Sequence, residues 1–157
     1  MRTVPFARPD LTAREIAAVT ECLQSGWLTT GPVSREFEEK FAAFVGVRHA
    51  IAVSSATMGA LLIFDALGVD RRWTLLTSPL TFSGPSMMAH RLGAKIAMID
   101  VGAGEFNVSP GKLRSWLDRA GGENTVVMPT HFGGVSADMA AIAPVLERWE
   151  HQRFLGR

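Results

Sequence analysis

From residue 50 onward the chain alternates short β-type apolar runs with stretches of helical period: 50–53, 57–67, 74–77, 82–92, 95–100, 110–119, 125–128 and 138–150. This alternation implies βαβ units with right-handed crossovers and a mainly parallel sheet covered by helices. The fold class is therefore α/β. Open sheets of this kind bind ligands beyond the carboxyl ends of their strands, so the residues just past each apolar run are the first candidates for chemistry.

Two such junctions stand out. After the run that ends at Val53 come Ser54, Ser55, Ala56 and Thr57, small and mostly hydroxylated, at the point where helical periodicity begins. A helix start leaves backbone N–H groups unpaired and carries the positive end of the helix dipole, which together seat an anion. Pro79-Leu80-Thr81-Phe82 ends another run and delivers an aromatic ring to the same sheet edge. An anion seat beside a flat apolar face suits a phosphorylated aromatic cofactor. Read singly, Ser55 and Thr57 are helix caps and Phe82 is a core residue.

The N-terminal region reads differently. Thr12 and Glu15 have capping-box spacing, and Ile16, Val19 and Leu23 repeat at helical intervals until Gly26, which predicts a helix over 13–25. The segment 26–32, with two glycines, two threonines and a proline, is a shaped loop. Ser34 is the expected cap of a second helix with Phe37, Phe41, Phe44 and Val45 on one face.

Bulk properties remove several function classes. A formal charge of +1, from 16 basic and 15 acidic residues without long runs, gives no electrostatic footprint for nucleic acid or an anionic membrane. With 47% hydrophobic residues, 157 residues suffice for a domain with a real core. The single cysteine, Cys22, can form neither an internal disulfide nor a metal knuckle and fits a reducing, cytoplasmic setting. Residues 1–10 lack the apolar stretch of a secretory signal, and 50–69 is interrupted by Ser54, Ser55, Thr57 and Asp65, as a strand and helix would be. No G-x-G-x-x-G fingerprint fills the first strand–helix turn; the stretch from Gly104 to Lys112 has the wrong glycine spacing for a P-loop; G-x-S-x-G is absent; and His49, His90, His131 and His151 have no metal-ligand spacing.

Six segments, taken in order, resemble the DegT/DnrJ/EryC1/StrS sugar aminotransferases. They are Ser25-Gly26-Trp27-Leu28-Thr29-Thr30-Gly31-Pro32; Phe37-Glu38 with Phe41; the run from His49 to Thr57; Pro79-Leu80-Thr81-Phe82; Leu92-Gly93-Ala94 with Asp100; and Pro129-Thr130-His131-Phe132-Gly133-Gly134 with Ala137-Asp138-Met139. That family consists of pyridoxal-phosphate (PLP) enzymes of fold type I. The resemblance implies a truncated large domain of that fold: residues 1–33 as an N-terminal arm, helix and substrate-side loop, and 34–157 as the first part of the PLP-binding domain, without the small domain.

The resemblance further implies that Thr57, with the backbone amides of Ala56 and Met58, grips the cofactor phosphate. Phe82 would stack on the pyridine ring, His131 would approach the cofactor edge, and Thr29, Thr30 and Gly31 would lie near the substrate. The family moves an amino group from glutamate or glutamine to a nucleotide-linked keto-sugar, in amino-sugar, cell-surface polysaccharide or secondary-metabolite biosynthesis, and works as a homodimer with composite sites.

Transamination of this type also needs a lysine that holds PLP covalently and a carboxylate at the pyridine nitrogen. In the family both lie beyond the segment matched by residues 129–134. Lys40, Lys95 and Lys112 are the lysines of this chain, and none matches that position. The expectation is the first part of a longer enzyme that does not transaminate by itself, with no catalytic or metal-binding residue assigned. A non-catalytic remnant or partner-binding module, and a PLP-dependent sugar dehydratase of the same fold, remain as alternatives. Borohydride reduction of the purified chain with an equimolar amount of PLP is expected to leave all three lysines unlabelled by mass spectrometry; stoichiometric labelling of one of them refutes the expectation.

Overall fold

In a computed structural model, residues 3–5, 7–120 and 124–155 are described. The readings that touch Gly156 and Arg157 lie outside them. The chain forms two compact units, Met1–Val53 and Ser54–Arg157.

The first unit holds α1 (Ala13–Gln24) and α2 (Pro32–Val45). At the start of α1 the Thr12 hydroxyl accepts from the Arg14 N–H at 3.2 Å, while the Thr12 N–H donates to the Glu15 carboxylate at 2.7 Å. The capping box read from the sequence is formed. Helix α2 begins two residues before the expected Ser34, with Gly31 as its N-cap and Pro32 in its first turn. Proline suits that place because it lacks the N–H a first turn cannot pair, and its fixed φ already matches the helix. Ile16, Val19 and Leu23 of α1 and Phe37 and Phe44 of α2 are exposed.

Segment 50–53, expected as a strand, is not one. Strand residues persist only when a neighbour completes their ladder, and this segment pairs with none of the strands among the described residues. Instead the Ala52 N–H donates to Glu38 Oε1 at 2.8 Å.

The second unit contains α3 (Ala56–Ala66), β1 (Thr74–Thr77), α4 (Gly84–Arg91), β2 (Lys95–Met98), α5 (Pro110–Ala120), β3 (Thr125–Val127), a 3₁₀ turn (Phe132–Gly134) and α6 (Met139–Leu155). The sheet is parallel with order β2-β1-β3, and Leu75 sits opposite Ile96 on one side and Val126 on the other. Successive side chains of a strand face opposite sides. Leu75 accordingly packs with Ala60, Phe64, Val69, Ala89 and Ala94, beneath α3 and α4, and Leu76 with Ile99, Val108, Leu113, Leu117 and Ile142, beneath α5 and α6. A strand covered on both faces is apolar without alternation, which is why Thr74-Leu75-Leu76-Thr77 has no period-2 pattern.

Several other boundaries differ from the sequence reading, β2 closing at Met98 rather than at residue 100 among them. Helix α4 begins at Gly84 rather than Phe82, with Pro85 in its first turn, so Phe82 lies in the bend that precedes it. Helix α6 runs beyond residue 150, to Leu155. No helix among the described residues is long and apolar enough to cross a membrane. Replacing Leu76, fully buried at the centre of the sheet, by alanine is expected to cost about 2–5 kcal/mol in urea unfolding, from lost transfer energy and an unfilled cavity.

Candidate functional site

The mouth of α3 is formed by residues 54–58. Ser55 is the extended N-cap residue, its Oγ accepts from the Met58 N–H at 3.2 Å, and the Gly59 N–H donates to the Ser55 carbonyl at 3.0 Å. The amides of Ala56 and Thr57 find no acceptor among the described residues. No acidic side chain stands in the first turn to offset the positive helix end. Ala56 and Thr57 thus present unpaired donors, whereas the Met58 amide is already engaged by Ser55.

Beyond β1 the Ser78 hydroxyl, fully buried, accepts from the Leu80 N–H at 3.0 Å and ties the bend that leads to Phe82. Phe82 is 76% exposed, an unusual setting for a benzyl side chain. Gly84, the first residue of α4, explains how the two junctions meet. A Cβ built on it would overlap the Thr57 hydroxyl and lie 3.0 Å from a carbon of the Phe82 ring. Residues 25 positions apart therefore converge on one glycine that has no side chain to separate them. Neutral N–H and O–H donors at a helix mouth are the donor set a phosphate ester needs, and an exposed ring beside them offers stacking surface. The residues present fit PLP in both of its parts.

At the same sheet edge, the Thr77 hydroxyl donates to the Met128 carbonyl at 2.9 Å, and the chain leaves β3 through Pro129, Thr130 and His131. The Thr130 hydroxyl is buried and has no partner among the described residues. His131 is exposed, and its Nδ1 accepts from the Ala137 N–H at 2.9 Å. Asn107, a residue the sequence reading missed, is buried, and its side chain bonds Phe132 and Val135, 25 and 28 positions away. An asparagine in a glycine-containing loop reads as a turn residue, and nothing near it in sequence marks those partners.

Asp100 lies just past β2 and pairs with Lys112 at 2.9 Å, and the same ammonium donates to the Val101 carbonyl at 2.8 Å. Hydrogen bonding to and attraction by Lys112, with the Val101 N–H, hold the exposed Asp100 carboxyl below its ordinary range. Lys40 pairs with Glu36, and Lys95 opens β2 at the amino end. Asp138 caps α6, its Oδ1 accepting from the Ala141 N–H at 3.0 Å.

Thr29, Thr30 and Gly31 belong to the first unit. There the Trp27 indole N–H donates to the Thr30 carbonyl at 2.9 Å, and a Cβ on Gly31 would overlap that indole. Trp27, Thr29 and Gly31, with Cys22 and Ser34, line a cleft of about 380 Å³. Among the described residues no group of three or more His, Cys, Asp or Glu side chains could hold a metal ion.

The parallel sheet flanked by helices is an architecture this chain shares with part of solved PLP aminotransferase structures. The chain belongs to the DegT/DnrJ/EryC1/StrS aminotransferase family, whose sequence profile matches residues 9–151. It is 40% identical over 144 residues to the spore coat polysaccharide biosynthesis protein SpsC of Bacillus subtilis (strain 168), covering 92% of this chain and 36% of SpsC. Among solved structures it is similar to Spr1654 of Streptococcus pneumoniae, assigned as a sugar aminotransferase. The PLP form of that protein superposes with a TM-score of 0.81 at 28% identity, over 94% of this chain and 37% of Spr1654. A 3-amino-5-hydroxybenzoic acid synthase gives a TM-score of 0.76 at 32% identity, over 88% of this chain and 36% of that one. The chain spans little more than a third of the length of these relatives.

Substituting Gly84 by alanine is expected to lower stability by about 1–3 kcal/mol, the cost of forcing a methyl group into a filled space. Removing the Thr57 hydroxyl in a Thr57→Ala, Gly84→Ala double variant restores part of that loss in the same denaturant titration. Equal losses in single and double variants show that the two side chains do not share this space.

Proposed function

We propose that this chain is the cofactor-anchoring N-terminal portion of a PLP-dependent aminotransferase acting on nucleotide-linked keto-sugars. One observation carries the reading: the Thr57 hydroxyl and the exposed Phe82 ring converge at Gly84, beside a helix mouth whose Ala56 and Thr57 amides find no acceptor among the described residues. In this reading Ala56 and Thr57 bind the phosphate, joined by Met58 once its amide exchanges Ser55 for the anion. Phe82 covers one face of the ring, and His131 offers a hydrogen bond at its edge. Bound PLP supplies an electron sink for carbanion chemistry, which no side chain here provides.

Thr29, Thr30 and Gly31 are assigned to the substrate side, with glutamate or glutamine as amino donor. The assembly is a cytoplasmic homodimer, a reading supported by the lone Cys22 and by the exposed apolar faces of α1 and α2. The 157-residue polypeptide alone binds cofactor without transaminating.

Equilibrium dialysis separates the roles. Thr57→Val is expected to weaken PLP binding roughly tenfold while leaving binding of unphosphorylated pyridoxal unchanged, the worth of a hydrogen bond to a charged group. Phe82→Ala weakens both ligands alike. A Thr57 variant that binds PLP as tightly as the native chain overturns the reading.

A further inference from the structure

Loop 131–137, just past β3, is held more firmly than its two central glycines suggest. Gly133 and Gly134 both have positive φ, 63° and 80°, and the Val135 N–H closes the turn on the Phe132 carbonyl at 3.1 Å. Asn107 grips the two ends of this turn. Its Oδ1 accepts from the Phe132 N–H and its Nδ2 donates to the Val135 carbonyl, each at 3.0 Å. Since one partner is a donor and the other an acceptor, only this orientation of the amide satisfies both. Asn107 is 8% exposed, and the Phe106 ring beside it lies 5.8 Å from that of Phe132.

The same loop returns to His131. The N–H of Ala137, itself buried, donates to His131 Nδ1 at 2.9 Å. A ring nitrogen that accepts a hydrogen bond carries no proton, so the neutral imidazole has its hydrogen on Nε2. That N–H has no partner among the described residues, on an exposed side chain at the sheet edge where Thr57 and Phe82 also stand.

We propose that Asn107 is a positioning residue: by clasping the Phe132–Val135 turn it holds Ala137 against His131, fixing the imidazole so that its Nε2–H is offered to an oxygen substituent of the aromatic ligand at Thr57 and Phe82. The donor role of His131 rests on the PLP reading above. The clasp itself does not.

The test uses the full 157-residue chain, native and with Asn107→Ala, Asn107→Asp, His131→Ala, and the Asn107→Ala, His131→Ala pair. Without ligand, amide hydrogen exchange by NMR is expected to show Ala137 protected in the native chain and exchanging at least tenfold faster in Asn107→Ala, while β1 amides are unchanged. Asn107→Asp, which keeps an acceptor for Phe132 and loses the donor to Val135, falls between them. Unchanged Ala137 protection in both variants overturns the clasp.

With PLP as probe, Asn107→Ala and His131→Ala are each expected to weaken binding roughly tenfold, and the double variant no further than His131→Ala alone, because residues acting through one contact are not additive. Additive losses near a hundredfold mean that Asn107 acts on stability independently of His131, which overturns the positioning role. If the native chain does not bind PLP, the donor role falls together with the proposed function, and the exchange data still decide the clasp.

Discussion

The burial of β1 on both faces is the constraint on which the second unit depends. Leu75 and Leu76 are adjacent in sequence, yet they anchor separate apolar clusters on opposite sides of the sheet. Because neither face of the strand meets water, its end is an accurate platform: the buried Thr77 and Ser78 direct their hydroxyls to the Met128 carbonyl and the Leu80 amide. The bend that carries Phe82 and the exit that carries His131 are both set by those bonds.

The chemistry is accordingly divided between rigid elements and the short segments they present. Helix α3 packs beneath the sheet through Ala60 and Phe64, which places its mouth at the carboxyl edge with unsatisfied donors. Evolution could have capped those donors fully; Ser55 covers only the Met58 amide. An uncompensated helix end costs stability unless an anion or water completes it, and a phosphate ester does so with charge of the right sign. The Phe82 ring beside it is likewise exposed, leaving apolar surface open at the same edge.

Legibility in the sequence varied with the range of the interaction that decides each feature. The capping box of Thr12 and Glu15, the strand 74–77 and the start of α5 at Pro110 rest on contacts within a few residues, and each stands where the residues indicated. Segment 50–53 has the composition of a strand, but a ladder needs a second chain segment, and composition cannot say whether one is at hand. The start of α2 at Pro32 rather than Ser34 shows local signals competing, with proline geometry prevailing over a serine cap. Gly84 and Asn107 were invisible for a different reason: the one matters for the side chain it lacks, the other for partners 25 and 28 residues on.

Residue order alone was enough to establish the α/β class, the succession of helices and strands in the second unit, and the hydroxyl-rich helix start, because periodicity, capping and turn chemistry act locally along the chain. That Thr57 and Phe82 meet at Gly84, that the Met58 amide is engaged while those of Ala56 and Thr57 are not, and that Asn107 bonds both Phe132 and Val135 in the loop after His131 emerged only on folding. Those facts depend on distances between residues far apart in the chain, and such distances exist only once the two leucine clusters have closed around β1.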